Sequence, residues 1–221
     1  LPGKVLADLA GRPMLEFLIE RLKRCAGISQ IVLATTTEAD DDCLVALGKR
    51  LGLLVVRGSN NDVLSRFALA AQQTDAQVLI RITGDCPFVD PDLLGEMILD
   101  FRSQNVDYLS NCVPASYPDG LDIEIFTKEA LMLAQEQCLE LQQREHVTSW
   151  IREMGCFRVA VKRHTSDCST CRWTVDEPED LIVVRAVVDH FDGRSDFSWQ
   201  DVLKLEQQKP QLFAANAKFL R

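Results

Sequence analysis

The chain has 221 residues, of which 47% are apolar and 26% charged, as is typical of a folded globular protein. Its formal net charge of −9 argues against a general nucleic-acid binder, because such proteins gain affinity from Lys and Arg side chains that neutralise phosphates. No apolar run is long enough to span a membrane and the first residues lack a signal-peptide pattern, so we expect a cytoplasmic protein whose eight cysteines are reduced thiols.

Strand-like and helix-like segments alternate through the first half of the chain. Continuous apolar stretches predict buried strands at residues 31–34, 53–56 and 78–82. Apolar residues at helical spacing predict helices after Pro13, after a capping Asp40, at residues 63–71 and after the pair Asp90-Pro91. Apolar strands that alternate with amphipathic helices predict an α/β fold with a mostly parallel sheet covered on both faces.

The alternation becomes less regular after about residue 104. Further strands are predicted at residues 108–110, 121–126, 157–162 and 172–175. Pro178 begins a long helical pattern that continues through His190. Because neither a repeat nor a low-complexity linker interrupts the pattern, we expect one domain over residues 1–221, with a substrate-binding portion at about 105–172.

The first candidate for chemistry is Asp85, which follows the predicted strand 78–82 after a short turn. Gly84 permits a tight backbone turn and Pro87 prevents the strand from continuing. In open α/β sheets the carboxyl ends of the strands are where ligands bind. Taken alone, this motif also fits an ordinary strand-to-helix turn with a solvated aspartate.

A second motif, at residues 173–180, repeats this order: a predicted strand, Asp176, and a helix that begins at Pro178. Acidic residues near the start of a helix also favour its dipole, whatever the function. Two aspartates that each follow a strand could nevertheless converge on one Mg²⁺, which binds through one or two carboxylates together with substrate phosphates and water. The pair Asp85 and Asp176 is therefore the leading candidate for a metal site.

Two further stretches carry groups that could bind phosphates or a nucleotide. Gly3-Lys4 combines a turn with a lysine, whose point charge is suited to triphosphate oxygens. Arg57-Gly58-Ser59 forms a polar loop after a predicted strand, and Asp62 and Arg66 follow it. Each stretch also fits an exposed turn, a helix cap or a solvated helix face, so both interpretations stay open.

Two other motifs suggest different chemistry. Residues 164–171 contain a His, an Asp and a Cys-x-x-Cys spacing, but a structural zinc site is disfavoured because no second Cys pair with metal spacing follows. A thioredoxin-like role is disfavoured because the Cys pair precedes a predicted strand and does not open a helix. Arg144-Glu145-His146 could supply a general base, and it ranks below the two aspartates.

The order of the short motifs along the chain resembles a known family. The motifs at residues 1–4, 11–14, 84–87 and 175–181 resemble those of the cytidylyltransferases that make CMP-sugars, such as the CMP-KDO and CMP-sialic acid synthetases. The nearest likeness is to the spore coat polysaccharide biosynthesis protein F branch, through residues 57–59, 62–64, 117–124, 144–148 and 172–176. The likeness runs from Leu1 to about Leu205.

The resemblance implies a nucleotide-diphospho-sugar-transferase fold, which is a Rossmann-like three-layer α/β sandwich. It implies transfer of CMP from CTP to a sugar acid or related sugar, with release of pyrophosphate, for surface polysaccharide biosynthesis. It also implies Mg²⁺ at Asp85 and Asp176, with Lys4 as a third catalytic residue. The implied nucleotide-binding residues are Gly3, Lys4, Arg57, Gly58, Ser59, Arg66 and Asp85. The residues implied to face the sugar are Asn111, Tyr117, Asp122, Glu124, Glu145, His146 and Arg172.

In that family a first strand and an arginine-containing, Gly/Ser-rich phosphate loop precede the Leu-Pro-Gly-Lys motif, so we expect both to precede Leu1 in the native protein. Family analogy is also consistent with a homodimer. Two other functions remain open: a glycosyltransferase of the same superfold that consumes a nucleotide-sugar, and a catalytically silent nucleotide-binding module. The first would be favoured by an Asp-x-Asp motif, whose second Asp is absent from residues 84–87.

Overall fold

The computed structural model describes residues 1–219, in which helices and strands alternate. The strands are β1 (Asp8–Leu9), β2 (Arg12–Pro13), β3 (Val32–Thr36), β4 (Leu54–Gly58), β5 (Val78–Arg81), β6 (Tyr108–Ser110), β7 (Glu124–Thr127) and β8 (Val159–Val161). The α-helices are α1 (Met14–Leu22), α2 (Asp42–Arg50), α3 (Val63–Gln72), α4 (Pro91–Gln104), α5 (Lys128–Gln137), α6 (Leu141–His146), α7 (Ser149–Glu153), α8 (Pro178–His190) and α9 (Trp199–Gln208). Short 3₁₀ helices lie at Lys4–Leu6 and Ala39–Asp41, and a longer one at Pro210–Phe219.

Apart from the short β1–β2 pair, the strands form one parallel pair and one larger mixed sheet. β3 and β4 pair in parallel, joined by a crossover that contains α2. In the larger sheet the order is β5-β7-β6-β8, and β7 runs antiparallel to both of its neighbours while β6 and β8 are parallel. β5, β6 and β8 therefore share one direction, and β7 is reversed. The predicted α/β class with a mostly parallel sheet is confirmed.

The sheet is covered on both faces, as the alternation of its side chains shows. Leu109 and Ile125 point into a core that also includes residues of α1, α4 and α8. Their strand neighbours Tyr108 and Phe126 point into a second core with residues of α3, α5 and α7. All four side chains are at most 1% exposed, so this part of the sheet is the middle layer of a three-layer sandwich.

Local sequence signals place most helix starts correctly, with one exception. Asp90 accepts hydrogen bonds from the backbone of the first turn of α4, and Asp62 does the same for α3. The predicted cap at Asp40 is wrong, because α2 begins at Asp42 after a 3₁₀ turn. The neighbouring Asp41 does not cap it either, since its carboxylate instead binds the hydroxyls of Thr35 and Thr36.

The segment 172–175 differs from its prediction as a strand. Its sheet-like contact is one isolated bridge between Arg172 and Asp119. Beyond that bridge, the Val175 N–H donates to the carbonyl of Asp85 at 2.9 Å, which ties the segment to a loop and not to a strand. Asp176 therefore follows a connection whose backbone N–H groups donate to the carbonyls of Asp119 and Asp85, while Asp85 follows a strand of the sheet.

A buried arginine fixes one end of the molecule. Arg21 of α1 is 0% exposed, and its guanidinium donates to the carbonyls of Phe88, Val89, Ser195 and Phe197. Burial lowers the pKa of Arg21 to about 10, which leaves it charged at neutral pH. Within residues 1–219 the helices are all too short or too polar to cross a lipid bilayer.

Candidate active site

The amino group of Lys4 lies between two carboxylates from distant parts of the chain. Its Nζ is 3.0 Å from Oδ2 of Asp85 and 2.8 Å from Oδ1 of Asp176. Lys4 follows Gly3, whose left-handed backbone (φ 70°) turns the chain into a 3₁₀ helix. Asp85 lies in the loop after β5, and Asp176 lies just before α8. The two aspartates thus converge on one position, and their role as metal ligands stays a prediction.

Backbone contacts hold the two aspartate loops together. The hydrogen bond from Val175 to the carbonyl of Asp85 joins the loop after β5 to the segment that carries Asp176. Gly120 lets a third loop approach the same segment: its φ is 106°, and a Cβ there would lie 2.5 Å from the backbone nitrogen of Thr174. A side chain at position 120 would therefore displace the segment that leads to Asp176.

The charges of this cluster stabilise one another. Burial alone would lower the pKa of Lys4, but hydrogen bonds and charges of Asp176 and Asp85 outweigh burial and raise it. Burial would likewise raise the pKa of Asp85, yet hydrogen bonding from Thr83 and the charge of Lys4 lower it. Lys4 and Asp85 are therefore both ionised at neutral pH.

Arg172 forms a second set of ion pairs behind Asp176. Its Nη2 lies 3.1 Å from Oδ2 of Asp176 and 2.8 Å from Oδ2 of Asp180, and its Nη1 lies 3.3 Å from Oδ2 of Asp119. Burial opposes the ionisation of Asp180, which is 0% exposed, but hydrogen bonds from Arg172, the Glu177 amide and Asn216 outweigh it and lower its pKa to about 2. Asp180 therefore carries its charge at neutral pH.

Lys4, Asp85, Asp176 and Arg172 are called the lysine cluster below. A polar cavity of about 240 Å³ lies near it. It is lined by Arg81, Thr83, Cys112, Asp122, Glu124, His146, Thr148 and Arg152. Thr83 connects the two places, since it lines the cavity and also lowers the pKa of Asp85 through a hydrogen bond. Within the cavity Glu124 is saturated: it accepts from Arg81 Nη1 at 2.5 Å, from Tyr108 Oη at 2.6 Å and from the hydroxyl of Thr148.

Asp122 differs from Glu124 although both line the same cavity. In residues 1–219 the carboxylate of Asp122 receives no hydrogen bond from a protein donor. Burial, together with the negative charges of Asp119 and Glu124, raises the pKa of Asp122 to about 6. A carboxylate without a protein donor, at the wall of a polar cavity, is suited to accept hydrogen bonds from a bound ligand.

Of the residues implied to face a sugar, the structure brings Asp122, Glu124 and His146 together at the cavity. The amide of Asn111 instead binds the backbone of Leu121 and Ile123, each at 2.8 Å, and so fixes the chain that leads into β7. The ring of Tyr117 packs against those of His164 and Trp199, Glu145 is exposed on α6, and Arg172 belongs to the cluster behind Asp176. Their contacts with a substrate stay predictions.

Four of the seven residues implied to bind the nucleotide, Arg57, Gly58, Ser59 and Arg66, lie together as a unit at the carboxyl end of β4, whereas the other three lie at the cluster around Lys4. The guanidinium of Arg57 donates to the carbonyls of Thr36 and Glu38, each at 2.8 Å, and pairs with Asp42. Ser59 accepts the Asp62 N–H through its hydroxyl and the guanidinium of Arg66 through its carbonyl, and Gly58 lies against Arg66. Nε of Arg66 is buried, and it donates no hydrogen bond within residues 1–219. Nucleotide binding by this unit stays a prediction.

Sequence reasoning missed the cavity walls formed by Arg81, Thr83, Cys112, Thr148 and Arg152, and the supports formed by Asp119, Asp180 and Asn216. Two of these had a local signal. Thr83 lies two residues before Asp85, and Asp180 lies three residues after Glu177, with which it forms a capping box. No local pattern marks Asn216, which reaches Asp180 from the last 3₁₀ helix.

The donor set fits a hard divalent cation. Among residues 1–219 no group of three or more His, Cys, Asp or Glu side chains has metal-binding geometry, whereas Mg²⁺ needs one or two carboxylates beside phosphate oxygens and water. Asp85 and Asp176 supply two carboxylates that already share one cation, the Lys4 ammonium. Counting the four aspartates 85, 119, 176 and 180 against Lys4 and Arg172, the site has two negative charges in excess.

Comparison with known proteins agrees with this geometry. A family model described as cytidylyltransferase matches residues 1–191. The chain is 34% identical to the spore coat polysaccharide biosynthesis protein SpsF of Bacillus subtilis, over 95% of this chain and 90% of that protein. It is also 31% identical to the 3-deoxy-manno-octulosonate cytidylyltransferase of Trichlorobacter lovleyi, over 45% of this chain and 39% of that one.

Solved structures agree as well. A cytidylyltransferase from Leptospira borgpetersenii superposes with a TM-score of 0.92 at 30% identity, covering 96% of this chain and 90% of that one. A CMP:2-keto-3-deoxy-manno-octonic acid synthetase complexed with CTP superposes with a TM-score of 0.65 at 17% identity, covering 86% of this chain and 93% of that one. This likeness supports the nucleotide-sugar-transferase type of fold. The chain therefore belongs to the cytidylyltransferase family and is an enzyme of that family.

Proposed function

We propose that this cytidylyltransferase transfers CMP from CTP to a sugar acid or related sugar, releasing pyrophosphate, in surface polysaccharide biosynthesis. The observation that carries the proposal is the convergence of Lys4, Asp85 and Asp176 close to a polar cavity with Asp122 on its wall. The names of two relatives support it, because one is a cytidylyltransferase of a sugar acid and the other is named for spore coat polysaccharide biosynthesis.

In this proposal Asp85 and Asp176 bind Mg²⁺. An ion held by these two carboxylates would supply stabilisation of the negative charge that develops on the phosphates during transfer. Lys4, whose ammonium lies between the same two carboxylates, provides a point charge for the phosphate oxygens that leave as pyrophosphate. Gly3 gives the turn that presents Lys4, and the unit formed by residues 57–59 and Arg66 lies near the base.

The acceptor sugar occupies the portion at about 105–172 of a single domain, 1–221, and its hydroxyl attacks the α-phosphorus in line with the leaving pyrophosphate. Asp122 accepts a hydrogen bond from the acceptor, because it has a carboxylate that the described chain leaves without a donor. His146 and Arg152 lie on the same cavity wall and are the donors available to an acidic group of the sugar. A homodimer is part of the proposal, and light scattering after size-exclusion chromatography measures it.

The test is a pyrophosphate-release screen of the full-length protein, crossing CTP, ATP, GTP and UTP with a panel of acidic, amino and neutral sugars. We expect release with CTP and an acidic or related sugar, and loss of release when EDTA removes divalent cations. Asp75→Asn is the matched control for aspartate variants, because Asp75 is exposed. Release with another nucleotide in preference to CTP, or release that survives EDTA, would overturn the corresponding part of the proposal.

A further inference from the structure

The two oxygens of Asp176 face different partners. Oδ1 lies 2.8 Å from Nζ of Lys4, at the position shared with Asp85. Oδ2 lies 3.1 Å from Nη2 of Arg172, on the other side of the carboxylate. Because Arg172 holds Oδ2, the other oxygen is directed at the shared position. The side chain of Asp176 is 46% exposed, so burial does little to restrict its rotation and this contact has a clear orienting effect.

Arg172 is itself held in place. Nε and Nη2 donate to the two oxygens of Asp180 at 2.9 and 2.8 Å, a two-pronged pair that fixes the guanidinium plane. Nη1 donates to Asp119 at 3.3 Å. A guanidinium has five N–H groups, and the contacts with Asp119, Asp176 and Asp180 use four of them. Little hydrogen-bonding capacity is left for a sugar.

Asp180 is anchored in turn by groups that do not move with the substrate. Its Oδ2 accepts the backbone N–H groups of Asp176 and Glu177 at 3.0 and 2.9 Å, and its Oδ1 accepts Nδ2 of Asn216 at 2.9 Å. Asn216 also donates to the carbonyl of Arg172 at 3.1 Å. The backbone and the side chain of Asp176 are therefore both fixed, directly or through Arg172, by one fully buried carboxylate.

We propose that Arg172 is a positioning residue that orients the Asp176 carboxylate toward the metal, held there by Asp180 and Asn216, in place of the sugar contact that the family resemblance implies. This inference rests on the proposed function, since it takes Asp176 as a metal ligand. Partners that orient a metal ligand in this way commonly change metal affinity or activity by about 10- to 100-fold when they are removed.

The experiment measures Mn²⁺ binding by calorimetry, in the presence of a non-hydrolysable CTP analogue, for the full-length wild type and for Arg172→Gln, Arg172→Lys and Asn216→Ala. We expect Mn²⁺ affinity to fall about tenfold or more in Arg172→Gln. The loss should be smaller in Arg172→Lys, which keeps the positive charge but cannot form the two parallel hydrogen bonds of a guanidinium. Asn216→Ala alters no charge and touches neither the metal site nor the cavity, and we expect it to lower the affinity by a few-fold. Arg158→Gln is the matched control, because Arg158 forms an exposed pair with Asp107.

Steady-state kinetics separate positioning from a sugar contact. A positioning role raises the Mg²⁺ concentration needed for half-maximal rate and lowers kcat, while the KM for the acceptor stays within about twofold. A raised acceptor KM with unchanged Mn²⁺ affinity in Arg172→Gln and Asn216→Ala would overturn the inference and leave the proposed function standing. A wild type that binds no Mn²⁺ and releases no pyrophosphate would overturn the proposed function itself, and the inference with it.

Discussion

The lysine cluster and the cavity are neighbouring regions built on opposite principles. In the cluster, Lys4 and Arg172 are surrounded by carboxylates that pair with them. In the cavity, Glu124 is saturated, but Asp122 has no donor in the described chain and the pKa of its carboxyl is raised to about 6. The cluster is preorganised before any ligand binds, whereas the cavity retains a carboxylate without a protein donor, whose raised pKa means that its ionisation costs stability.

This difference indicates how the two regions divide the reaction. A preorganised cluster suits a step in which charge must be stabilised at once, because its groups need not reorient during the reaction. An unsatisfied carboxylate suits recognition, because a ligand that supplies the missing donor binds with a favourable net energy. The predictions that follow separate these properties by substitution, beginning with the largest expected effect.

Asp85→Asn and Asp176→Asn test the cluster most directly. Each removes one of the two carboxylates proposed to bind the metal, and we expect pyrophosphate release to fall by about a hundredfold or more, because a metal-assisted step loses several kcal/mol of charge stabilisation. Circular dichroism should show a folded protein in each case. Asp75→Asn should retain full activity, and wild-type pyrophosphate release by either cluster variant would refute the assignment of Asp85 and Asp176.

Glu124→Gln tests the saturated side of the cavity. The carboxylate of Glu124 is 6% exposed and pairs with Arg81, so the variant leaves a cation without its partner. We expect the free energy of unfolding to fall by about 3 kcal/mol, measured in urea at pH 7. Glu136→Gln, at an exposed position of α5, is the matched control and should change it by less than about 0.5 kcal/mol. An equal change in the free energy of unfolding for the two variants would show that the contacts of Glu124 with Arg81, Tyr108 and Thr148 do not stabilise the fold.

Asp122→Asn tests the carboxylate that has no protein donor. We expect it to raise the free energy of unfolding, whereas Glu124→Gln lowers it. Because the folded-state pKa of Asp122 lies near 6, above the ordinary 3.8, ionisation of this group costs folding free energy. The cost is absent below about pH 4, grows between pH 4 and 6 and is complete above pH 6. We therefore expect the variant to be more stable than wild type by about 1 to 3 kcal/mol at pH 8 and equal to it near pH 4.

The same variant should lose function while it gains stability. Without the carboxylate, the acceptor loses one charged hydrogen bond, and we expect its KM to rise by about tenfold with little change in the KM for CTP. Urea unfolding at the two pH values and initial-rate kinetics measure both effects. A variant that is less stable at pH 8 than the wild type would contradict the raised pKa of the Asp122 carboxyl in the folded protein.

The sequence predicts the parts of this architecture that local signals control. The starts of α3, α4 and α8 follow from Asp62, from Asp90-Pro91 and from Pro178, because caps and first-turn prolines act within a few residues. The alternation of apolar strands and amphipathic helices predicts the fold class for the same reason. The position of Asp85 and Asp176 just past two predicted strands also predicts their convergence, which the structure places at the ammonium of Lys4.

What the sequence does not reveal depends on contacts between distant residues. The segment 172–175 has a strand-like composition, but it lacks a neighbouring strand and forms a single bridge. Asp41 is occupied by Thr35 and Thr36, so a cap cannot be inferred from the acidic run that contains it. Asn216 is 36 residues from Asp180, and no spacing rule relates them. Glu124 receives hydrogen bonds from Tyr108 and Thr148, and no sequence pattern indicates that these residues lie beside it and not beside Asp122.

Lys4→Met gives the smallest expected effect and distinguishes the roles of ammonium and metal in the cluster. Removing the ammonium leaves Asp85 and Asp176 facing each other, so we expect the free energy of unfolding to fall by about 1 to 2 kcal/mol in the absence of divalent cations. Mg²⁺ should restore much of this loss and should stabilise the variant more than the wild type, where it must compete with the ammonium. Lys162→Met is the matched control, because Lys162 also pairs with two carboxylates, those of Glu96 and Asp100. Thermal denaturation with and without Mg²⁺ measures the difference, and an equal response to Mg²⁺ in Lys4→Met and wild type would show that ammonium and metal do not share one position.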